Sequence, residues 1–214
     1  MSEDTKRLSA ASPAAGDATG WFERLYAEAE EGRAEVPWDQ PAATPNLVSA
    51  GLAAGAGRRA LVVGCGPGRD AEFVAGLGWA TTAFDISETA IRTARERHPD
   101  TTVDYRTADL LTPPPEWAAA FDLVVESNTV QALPRSLRAG VTATIAGFVA
   151  PGGALLVLAA AASTEEGDGP PWPLTRAEVD AFAAGGVVPV SVEEVPAPAD
   201  PLLLRWRATF TRPN

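Results

Sequence analysis

The stretch at residues 59–70, RALVVGCGPGRD, constrains the fold of this chain more than any other part of the sequence. Residues 61–63 form a short apolar run that is typical of a buried strand, and Gly64, Gly66 and Gly68 follow it. Beyond these glycines, apolar residues recur at helical spacing. A strand, a glycine turn and a helix in this order are typical of a nucleotide-binding unit, because glycines let the backbone approach a ligand and a helix N-terminus offers free N–H groups.

The spacing of the glycines separates two classes of ligand. A dinucleotide fingerprint reads G-x-G-x-x-G, in which the second glycine approaches a pyrophosphate. Here the third glycine, Gly68, comes one residue earlier, and Arg69 follows it. Such a turn suits adenosylmethionine, which has no phosphate and presents an amino-acid end and a ribose. At this point a glycine-rich turn without any ligand is the alternative.

The composition restricts the possible partners. The chain has 17 basic and 28 acidic residues, a formal net charge of −11, and no cluster of Lys and Arg, which argues against a nucleic-acid groove and an anionic membrane surface. With Cys65 as its single cysteine and His98 as its single histidine, we expect no disulfide framework, no zinc site and no metal. No apolar run reaches the roughly 20 residues of a membrane span and no signal peptide is recognised, so we expect a cytoplasmic protein of open oligomeric state.

The order of predicted elements is that of a mostly parallel sheet with helices on both faces. Residues 1–20 lack an apolar period and are predicted to be a disordered leader, followed by a single domain over residues 21–214. An amphipathic helix from Trp21, with Tyr26 on its apolar face, and a helix at Pro45, with Thr44 as its cap, form an N-terminal helical lid. The helix at Pro45 is expected to stop at the glycines around Gly55. Ser87 is expected to cap a helix that ends at Pro99, and Thr175 to cap a last helix over residues 176–184. Seven strands are predicted, the last two as an antiparallel pair: 61–63, 81–86, 102–106, 121–126, 154–160, 187–195 and 202–211.

Acidic residues stand at the predicted carboxyl ends of the strands, which is where ligands bind in such sheets. Asp85 lies about 20 residues beyond the glycine turn, where an acid can hold both ribose hydroxyls. Asp109 ends the third strand, where it can accept from an adenine amino group, and Glu126 ends the fourth, opposite the transferable group. Solvated strand ends and turn-initiating Asp residues are the alternatives.

Two tryptophans, Trp21 and Trp38, lie in N-terminal segments that can cover these strand ends. Aromatic faces attract cations, and the sulfonium of adenosylmethionine is one. Ordinary packing of the lid is the alternative for both residues.

Ordered motifs along the chain give a more specific resemblance. GCGPG at 64–68, FDIS at 84–87, ADL at 108–110, FDLVVE at 121–126 and APGG at 150–153 resemble the motifs of class I adenosylmethionine-dependent methyltransferases. In addition, VPWDQ at 36–40 and GPPW at 169–172 resemble the thiopurine methyltransferase group, especially its halide and thiol methyltransferases. The likeness runs from about residue 21 to the C-terminus.

This resemblance implies a Rossmann-like class I methyltransferase sheet, with adenosylmethionine as cofactor and adenosylhomocysteine as product. The implied cofactor residues are Gly64, Cys65, Gly66 and Gly68 at the methionine end, Asp85 and Ile86 at ribose and adenine, Asp109 and Leu110 at adenine, Glu126 near the methionine end, and Trp38 and Trp21 over the site. Two positions depart from the pattern. Val62 stands where most class I enzymes have an acid. The thiol subgroup shares this departure, and the resemblance implies that Asp70 holds that end of the cofactor instead. Ser127 stands where thiopurine enzymes have an arginine.

The chemistry favours a soft acceptor. In methyl transfer by in-line displacement the sulfonium is already activated, so the enzyme mainly supplies orientation and excludes water. A thiol ionises near neutral pH, whereas an oxygen or nitrogen acceptor usually needs a base. Residues 127–131, SNTVQ, include no His, Lys or Tyr. We therefore expect a small thiol as methyl acceptor, with Asn128, Gln131 and Trp172 as substrate residues, while Glu126 acts as a base or only binds cofactor.

Three other functions fit the same residues. The first is a small-molecule N- or O-methyltransferase of secondary metabolism. The second is a nicotinamide-dependent oxidoreductase, which would also use Asp85 but needs a later third glycine and a catalytic Tyr, Lys or His. The third is a non-catalytic module that binds adenosylmethionine.

Overall fold

The described part of the chain, which in this computed structural model comprises residues 3–14, 18–162, 170–198 and 200–214, has seven α-helices, seven strands and two short 3-10 helices, Pro115–Trp117 and Val130–Ala132. The helices are α1 (Glu3–Ala14), α2 (Trp21–Glu30), α3 (Pro45–Val48), α4 (Arg69–Gly76), α5 (Glu88–Arg97), α6 (Arg135–Gly147) and α7 (Arg176–Asp180). The strands are β1 (Arg59–Val63), β2 (Ala80–Asp85), β3 (Asp104–Thr107), β4 (Phe121–Ser127), β5 (Val149–Ala160), β6 (Val188–Ala197) and β7 (Asp200–Thr211). No helix of these residues is long and apolar enough to cross a bilayer.

The strands form one sheet in the order β3-β2-β1-β4-β5-β7-β6. Strands β1 to β5 pair in parallel, whereas β7 runs antiparallel to both β5 and β6. This confirms the predicted seven-stranded, mostly parallel sheet with an antiparallel C-terminal pair. Because β1 pairs with β2 on one side and β4 on the other, the strand order reverses at β1, and a ligand crevice is expected at its carboxyl end.

Apolar side chains cover both faces of the sheet. Leu61 and Val63 of β1 point into a core shared with α6 and α7, whereas Val62 points into a second core shared with α4 and α5. Both cores are closed to solvent at β1, since residues 60–63 are at most 1% exposed. A strand buried on both faces needs a continuous apolar run, which is why the sequence reads ALVV there without alternation.

Helix α1 is the largest departure from the sequence-based expectation. The predicted disordered leader over residues 1–20 is wrong for residues 3–14, which form this helix. Its Leu8 is buried in a small cluster with Trp21 and Leu25 of α2. One large apolar residue gives no detectable helical period, so the helix depends on this tertiary contact rather than on its own sequence pattern. Residues 1–2 and 15–17 lie outside the described residues, and the domain limits of 21–214 stay a prediction.

The helix caps were predicted with mixed success. Ser87 caps α5 as expected, accepting from the Ala90 N–H at 3.0 Å, and Thr175 forms a capping box with Glu178 on α7. Thr44 precedes α3 but does not cap it, because its hydroxyl donates to Asp70 at 2.9 Å instead. Helix α3 ends at Val48, well before the glycines that were expected to stop it, and α7 ends at Asp180 instead of residue 184.

A carboxylate on α2 joins the lid to the sheet. Glu23 accepts hydrogen bonds from the hydroxyls of Ser87 and Thr89, both at 2.6 Å, and from the Thr89 N–H at 3.2 Å. These donors belong to the N-terminus of α5, where a negative charge is favourable. Although burial alone raises the pKa of Glu23, these hydrogen bonds outweigh it and the pKa is lowered. Helix α2 of the lid is thus held at the carboxyl end of β2.

We expect Glu23→Ala to lower the free energy of unfolding at pH 7 by about 1.5–3 kcal/mol, because it removes bonds to a charged acceptor and leaves buried donors unpaired. Urea denaturation measures this change. The matched control is Glu30→Ala on the same helix, whose ion pair with Arg92 is exposed and is worth at most about 1 kcal/mol. Equal losses in the two variants would contradict the anchoring role of Glu23.

Candidate functional site

A chamber of about 500 Å³ lies beyond the carboxyl ends of β1, β2 and β4, at the expected reversal of strand order. Its floor consists of the glycine turn after β1 and the residues that follow β2, β3 and β4. Aromatic residues of α2 and the segment 37–46 lie over it, and the turn of the β6–β7 hairpin closes one side.

Most of the predicted site residues meet in this chamber. Those that line it are Trp21, Trp38, Gly64, Cys65, Gly66, Asp70, Asp85, Ile86, Asp109, Leu110, Asn128 and Gln131. Among the described residues, three predicted members do not line it: Gly68, Glu126 and Trp172. The structure therefore brings distant parts of the sequence together as expected, and the ligand roles of these residues stay predictions.

The three glycines of the turn all have positive φ, but different neighbours restrict them. A Cβ at Gly64 would overlap the Thr129 hydroxyl, and one at Gly68 would overlap the Tyr105 hydroxyl, so packing within the protein accounts for both glycines. At Gly66, φ is +50° and a Cβ would lie 2.8 Å from the hydroxyl of Tyr26. Of the three, Gly64 and Gly66 face the chamber.

Asp85 ties the glycine turn to the end of β2. One of its carboxylate oxygens accepts from the Gly66 N–H at 2.9 Å and the other from the Ser87 N–H at 3.0 Å. Burial raises the pKa of Asp85, and these backbone hydrogen bonds act in the opposite direction. Each carboxylate oxygen can accept a second hydrogen bond, so the arrangement fits the predicted contact with ribose hydroxyls.

The other two predicted acids at this end are bound to nearby backbone. Asp70, in the first turn of α4, accepts from the Thr44 N–H at 2.7 Å as well as from the Thr44 hydroxyl, and so holds the start of α3. Asp109 accepts from the Leu111 N–H at 2.8 Å, which is the turn-initiating arrangement considered as an alternative. Both carboxyl groups belong to residues that line the chamber.

Aromatic residues and ion pairs fix the lid over the turn. The indole N–H of Trp38 donates to the Tyr26 hydroxyl at 2.7 Å, and the rings of Trp21 and Trp38 meet edge to face at 6.1 Å. Next to Trp38, Asp39 accepts two hydrogen bonds from Arg97 and pairs with Arg69 at the start of α4. The tryptophans are thereby held over the strand ends, as the sequence predicted.

Tyr26 is a site residue that sequence reasoning missed, since it was counted only as part of the apolar face of α2. Its ring is buried and its hydroxyl points at Gly66. Burial, and secondly the nearby charge of Asp85, raise its pKa well above the usual value. The hydroxyl therefore keeps its proton and can donate it to a ligand on the glycine turn.

Glu126 lies beneath the chamber wall and has no exposed surface. One carboxylate oxygen accepts from the N–H groups of Thr129 at 2.7 Å and Val130 at 3.0 Å, and the other has no hydrogen-bond partner among the described residues. These bonds hold the turn after β4, in which Asn128 has a φ of +64°. Burial raises the pKa of Glu126 to about 7.

The far end of the chamber comes from the end of β4 and the turn after it, from the segment before α7, and from the C-terminal hairpin. The side-chain oxygen of Gln131 accepts from the Ala160 N–H at 2.6 Å, and its backbone oxygen accepts from the Trp172 N–H at 2.7 Å. Pro170 and Pro171 line the chamber, while the side chain of Trp172 lies outside the wall and Gly169 lies outside the described residues. Arg205 of β7 also lines this end and donates to the Asn128 side-chain oxygen. No sequence motif contains it.

Comparison with known proteins decides the family. A model of the thiopurine S-methyltransferase family matches residues 28–200. The chain belongs to this family. It is also 31% identical over 170 residues to thiocyanate methyltransferase 1 of Brassica oleracea, a match that covers 75% of this chain and 73% of the relative.

Solved structures agree with the fold. The N-methyltransferase NodS of Bradyrhizobium japonicum WM9 in complex with S-adenosylhomocysteine superimposes with a TM-score of 0.69 and 21% identity, covering 90% of this chain and all of that one. A structure from echinomycin biosynthesis, concerned with conversion of a disulfide bond into a thioacetal group, gives a TM-score of 0.70 and 24% identity. The match covers 90% of this chain and 93% of that one. At these identities the likeness establishes the class I methyltransferase fold.

Family membership settles the class of reaction. The protein is an adenosylmethionine-dependent methyltransferase that acts on a small molecule. The nicotinamide-dependent oxidoreductase and the non-catalytic module are thereby set aside. The resemblance that was inferred from the glycine turn and the motifs around residues 36–40 and 169–172 is confirmed.

We expect Gly66→Ala to weaken adenosylhomocysteine binding at least tenfold in calorimetric titration. The new Cβ meets the Tyr26 hydroxyl at 2.8 Å and imposes a left-handed backbone on a residue that disfavours it by about 1 kcal/mol. The control is Gly76→Ala in α4, where a Cβ meets nothing within 4 Å. Binding that survives in a folded Gly66→Ala protein would show that this turn does not hold the cofactor.

A second expectation concerns the buried carboxyl of Glu126. Because its folded pKa of about 7 lies above the ordinary glutamate pKa of 4.5, the folded state holds the proton more tightly, and the contribution of this group to stability falls as pH rises between those values. The unfolding free energy of Glu126→Gln minus that of the parent should therefore be about 2–3 kcal/mol higher at pH 8 than at pH 5.

Urea denaturation at both pH values measures this difference. The matched control is Glu194→Gln on β6, which makes the same substitution at an exposed position and is measured at both pH values. A Glu126→Gln difference that does not change between pH 5 and pH 8 would contradict a raised pKa of Glu126.

Proposed function

We propose that this protein transfers the methyl group of adenosylmethionine to the sulfur of a small thiol. The proposal rests mainly on the chemistry of the far end of the chamber. Among the described residues that line this end, none is a carboxylic acid, a histidine or a lysine. They are Ser127, Asn128, Thr129, Gln131, Ala132, Leu133, Pro170, Pro171, Ala197, Pro198 and Arg205.

The absence of a base in this wall limits the acceptors that react well. An amine or a phenol that is protonated in solution must lose its proton as the bond to carbon forms, and a side chain usually takes it. Glu126 is the carboxylate nearest to these residues in the sequence, but it is buried under the wall. Both N–H groups that donate to it belong to the adjoining turn. A thiol loses its proton to solvent near neutral pH and arrives as the reactive thiolate.

The cofactor supplies an already activated methyl group, so no residue has to form a covalent bond. The thiolate sulfur forms a bond to the methyl carbon as the carbon–sulfur bond of the sulfonium breaks, and the electron pair stays on the cofactor sulfur. The products are a thioether and adenosylhomocysteine. What remains for the protein is to align the two sulfurs and to keep water out, which the aromatic lid and the proline wall are suited to do.

Known relatives support a sulfur acceptor. The family is named for S-methyl transfer, and the relative from Brassica oleracea is named for thiocyanate, which also carries a nucleophilic sulfur. In this chain Ser127 occupies the position where the thiopurine enzymes have an arginine. This difference favours a small thiol over a thiopurine.

For the cofactor we propose a placement that follows from the positions of the lining residues. Asp85 accepts from the ribose hydroxyls, and Asp109 and Leu110 contact adenine. Gly64, Cys65 and Gly66 lie along the methionine end, where the Tyr26 hydroxyl donates to its carboxylate and Asp70 faces its amino group. Trp21 and Trp38 lie over the sulfonium, whose positive charge their faces attract.

A panel of acceptors with labelled adenosylmethionine tests the proposal. We expect small thiols to be methylated faster than phenols or amines of similar size, and the rate with each thiol to rise with pH through that thiol's own pKa. The control is a second thiol of different pKa, whose profile should shift accordingly. A preference for amines or phenols, or a profile fixed by one protein group for every acceptor, would favour an N- or O-methyltransferase instead.

A further inference from the structure

Arg205 is the feature of the chamber that a methyl transfer to a neutral thiol leaves unused. Its position is determined by the register of the antiparallel pair, in which Arg205 of β7 lies opposite Ala160 at the carboxyl end of β5. Because β7 runs against the parallel strands, its first half reaches the same edge of the sheet as their carboxyl ends. The side chain is thereby brought to the chamber wall beside Asn128.

The guanidinium group of Arg205 is only partly satisfied. Its one hydrogen bond to protein among the described residues goes to the neutral side-chain oxygen of Asn128, and its buried Nε has no partner. Burial lowers the pKa of Arg205, and the charge of Glu126 acts in the opposite direction without forming an ion pair. An arginine has five N–H donors. The Nε of Arg205 is buried away from the chamber, so the donors available to a ligand are the terminal N–H groups that Asn128 does not use.

The other charged residues that line the described part of the chamber are already matched or lie far from Arg205, and Glu126, which acts on Arg205 from beneath the wall, forms no ion pair with it. Arg69, the second arginine of the wall, pairs with Asp39. The acids of the wall, which include Asp85, follow β1, β2 and β3, and β2 lies four strands away from β7, or about 19 Å at the usual strand spacing. A buried cation without an anionic partner is costly, and a carboxylate that enters this end would supply that partner in bidentate geometry.

We propose that Arg205 binds an anionic group on the acceptor, so that the enzyme prefers thiols that carry a carboxylate over neutral thiols of the same size. This inference rests on the proposed function for its reaction and adds the acceptor's charge to it. Asn128 orients the guanidinium, and its terminal N–H groups donate to the carboxylate. Acceptors with a positive charge are disfavoured at this end.

The first test uses the full chain and two acceptors that differ in one group: 3-mercaptopropionate and its amide, 3-mercaptopropionamide. Rates are compared at equal thiolate concentrations, set from each thiol's own pKa. We expect kcat/KM to favour the carboxylate about tenfold or more, since hydrogen bonds to charged groups are worth that factor or more. Equal values for the two thiols would overturn the proposal.

Substitutions then assign the preference to one residue. Arg205→Met should raise KM for 3-mercaptopropionate about tenfold or more while KM for the amide and for adenosylmethionine stays unchanged, and Arg205→Lys should keep part of the preference. The matched control is Arg207→Met on the same strand, whose side chain pairs with Glu193 outside the chamber wall. A preference that persists in a folded Arg205→Met protein would overturn the proposal.

A binding measurement separates this inference from the proposed function. The thioether 3-(methylthio)propionate and its amide are titrated into the protein saturated with adenosylhomocysteine. Tighter binding of the carboxylate that is lost in Arg205→Met supports the anion site even if no thiol is methylated, in which case only the thiol assignment fails. Equal binding of the two thioethers would overturn the anion site whether or not thiols react.

Discussion

The buried carboxylate of Asp85 is the contact on which the rest of the site depends. It accepts from the backbone of the glycine turn after β1 and from the first residues after β2, and so joins two neighbouring strand ends through one side chain. Ser87, which gives one of these N–H groups, also caps α5 and donates its hydroxyl to Glu23 of the lid. The turn, the helix and the lid are therefore coupled: a shift of any one changes the position of the edge at which we propose that ribose binds.

The chamber is divided by charge along the sheet. Carboxyl groups follow β1, β2 and β3, where a cofactor with hydroxyls and amino groups is expected, whereas neutral polar side chains and Arg205 occupy the end near β4, β5 and β7. This division arises from strand order, since the β7 residues come from the antiparallel pair and the acids from the parallel strands. It gives each substrate a region of suitable polarity without any group that has to take part in bond making.

Much of this could be predicted from sequence because the signals are local. The apolar run before the glycines, the spacing to Asp85 and the cap at Ser87 each depend on a few neighbouring residues, and each was placed correctly. Features that depend on contacts between distant segments were missed or misread. Helix α1 forms because Leu8 packs on α2, and Thr44 bonds to Asp70, a residue 26 positions away, rather than capping its own helix.

The same limit applies within the site. Arg205 reaches the chamber only through the register of β7 on β5, which no local pattern encodes. Glu126 was expected to face the ligand because it ends a strand, but the turn that follows folds back and takes up one of its oxygens. Trp172 does not line the chamber, whereas the two prolines before it do. Contacts between distant segments thus decide the positions of Arg205 and Trp172, whereas the local turn after β4 decides the direction of Glu126.

The antiparallel course of β7 has a consequence for how such enzymes diversify. The proposed cofactor half of the chamber comes from the first half of the chain, whereas the proposed acceptor half comes from the turn after β4 and from segments beyond residue 169. Insertions or exchanges in the C-terminal hairpin therefore leave the glycine turn and Asp85 untouched. A lineage can thus alter part of the acceptor half beyond residue 169 while it inherits the cofactor half intact.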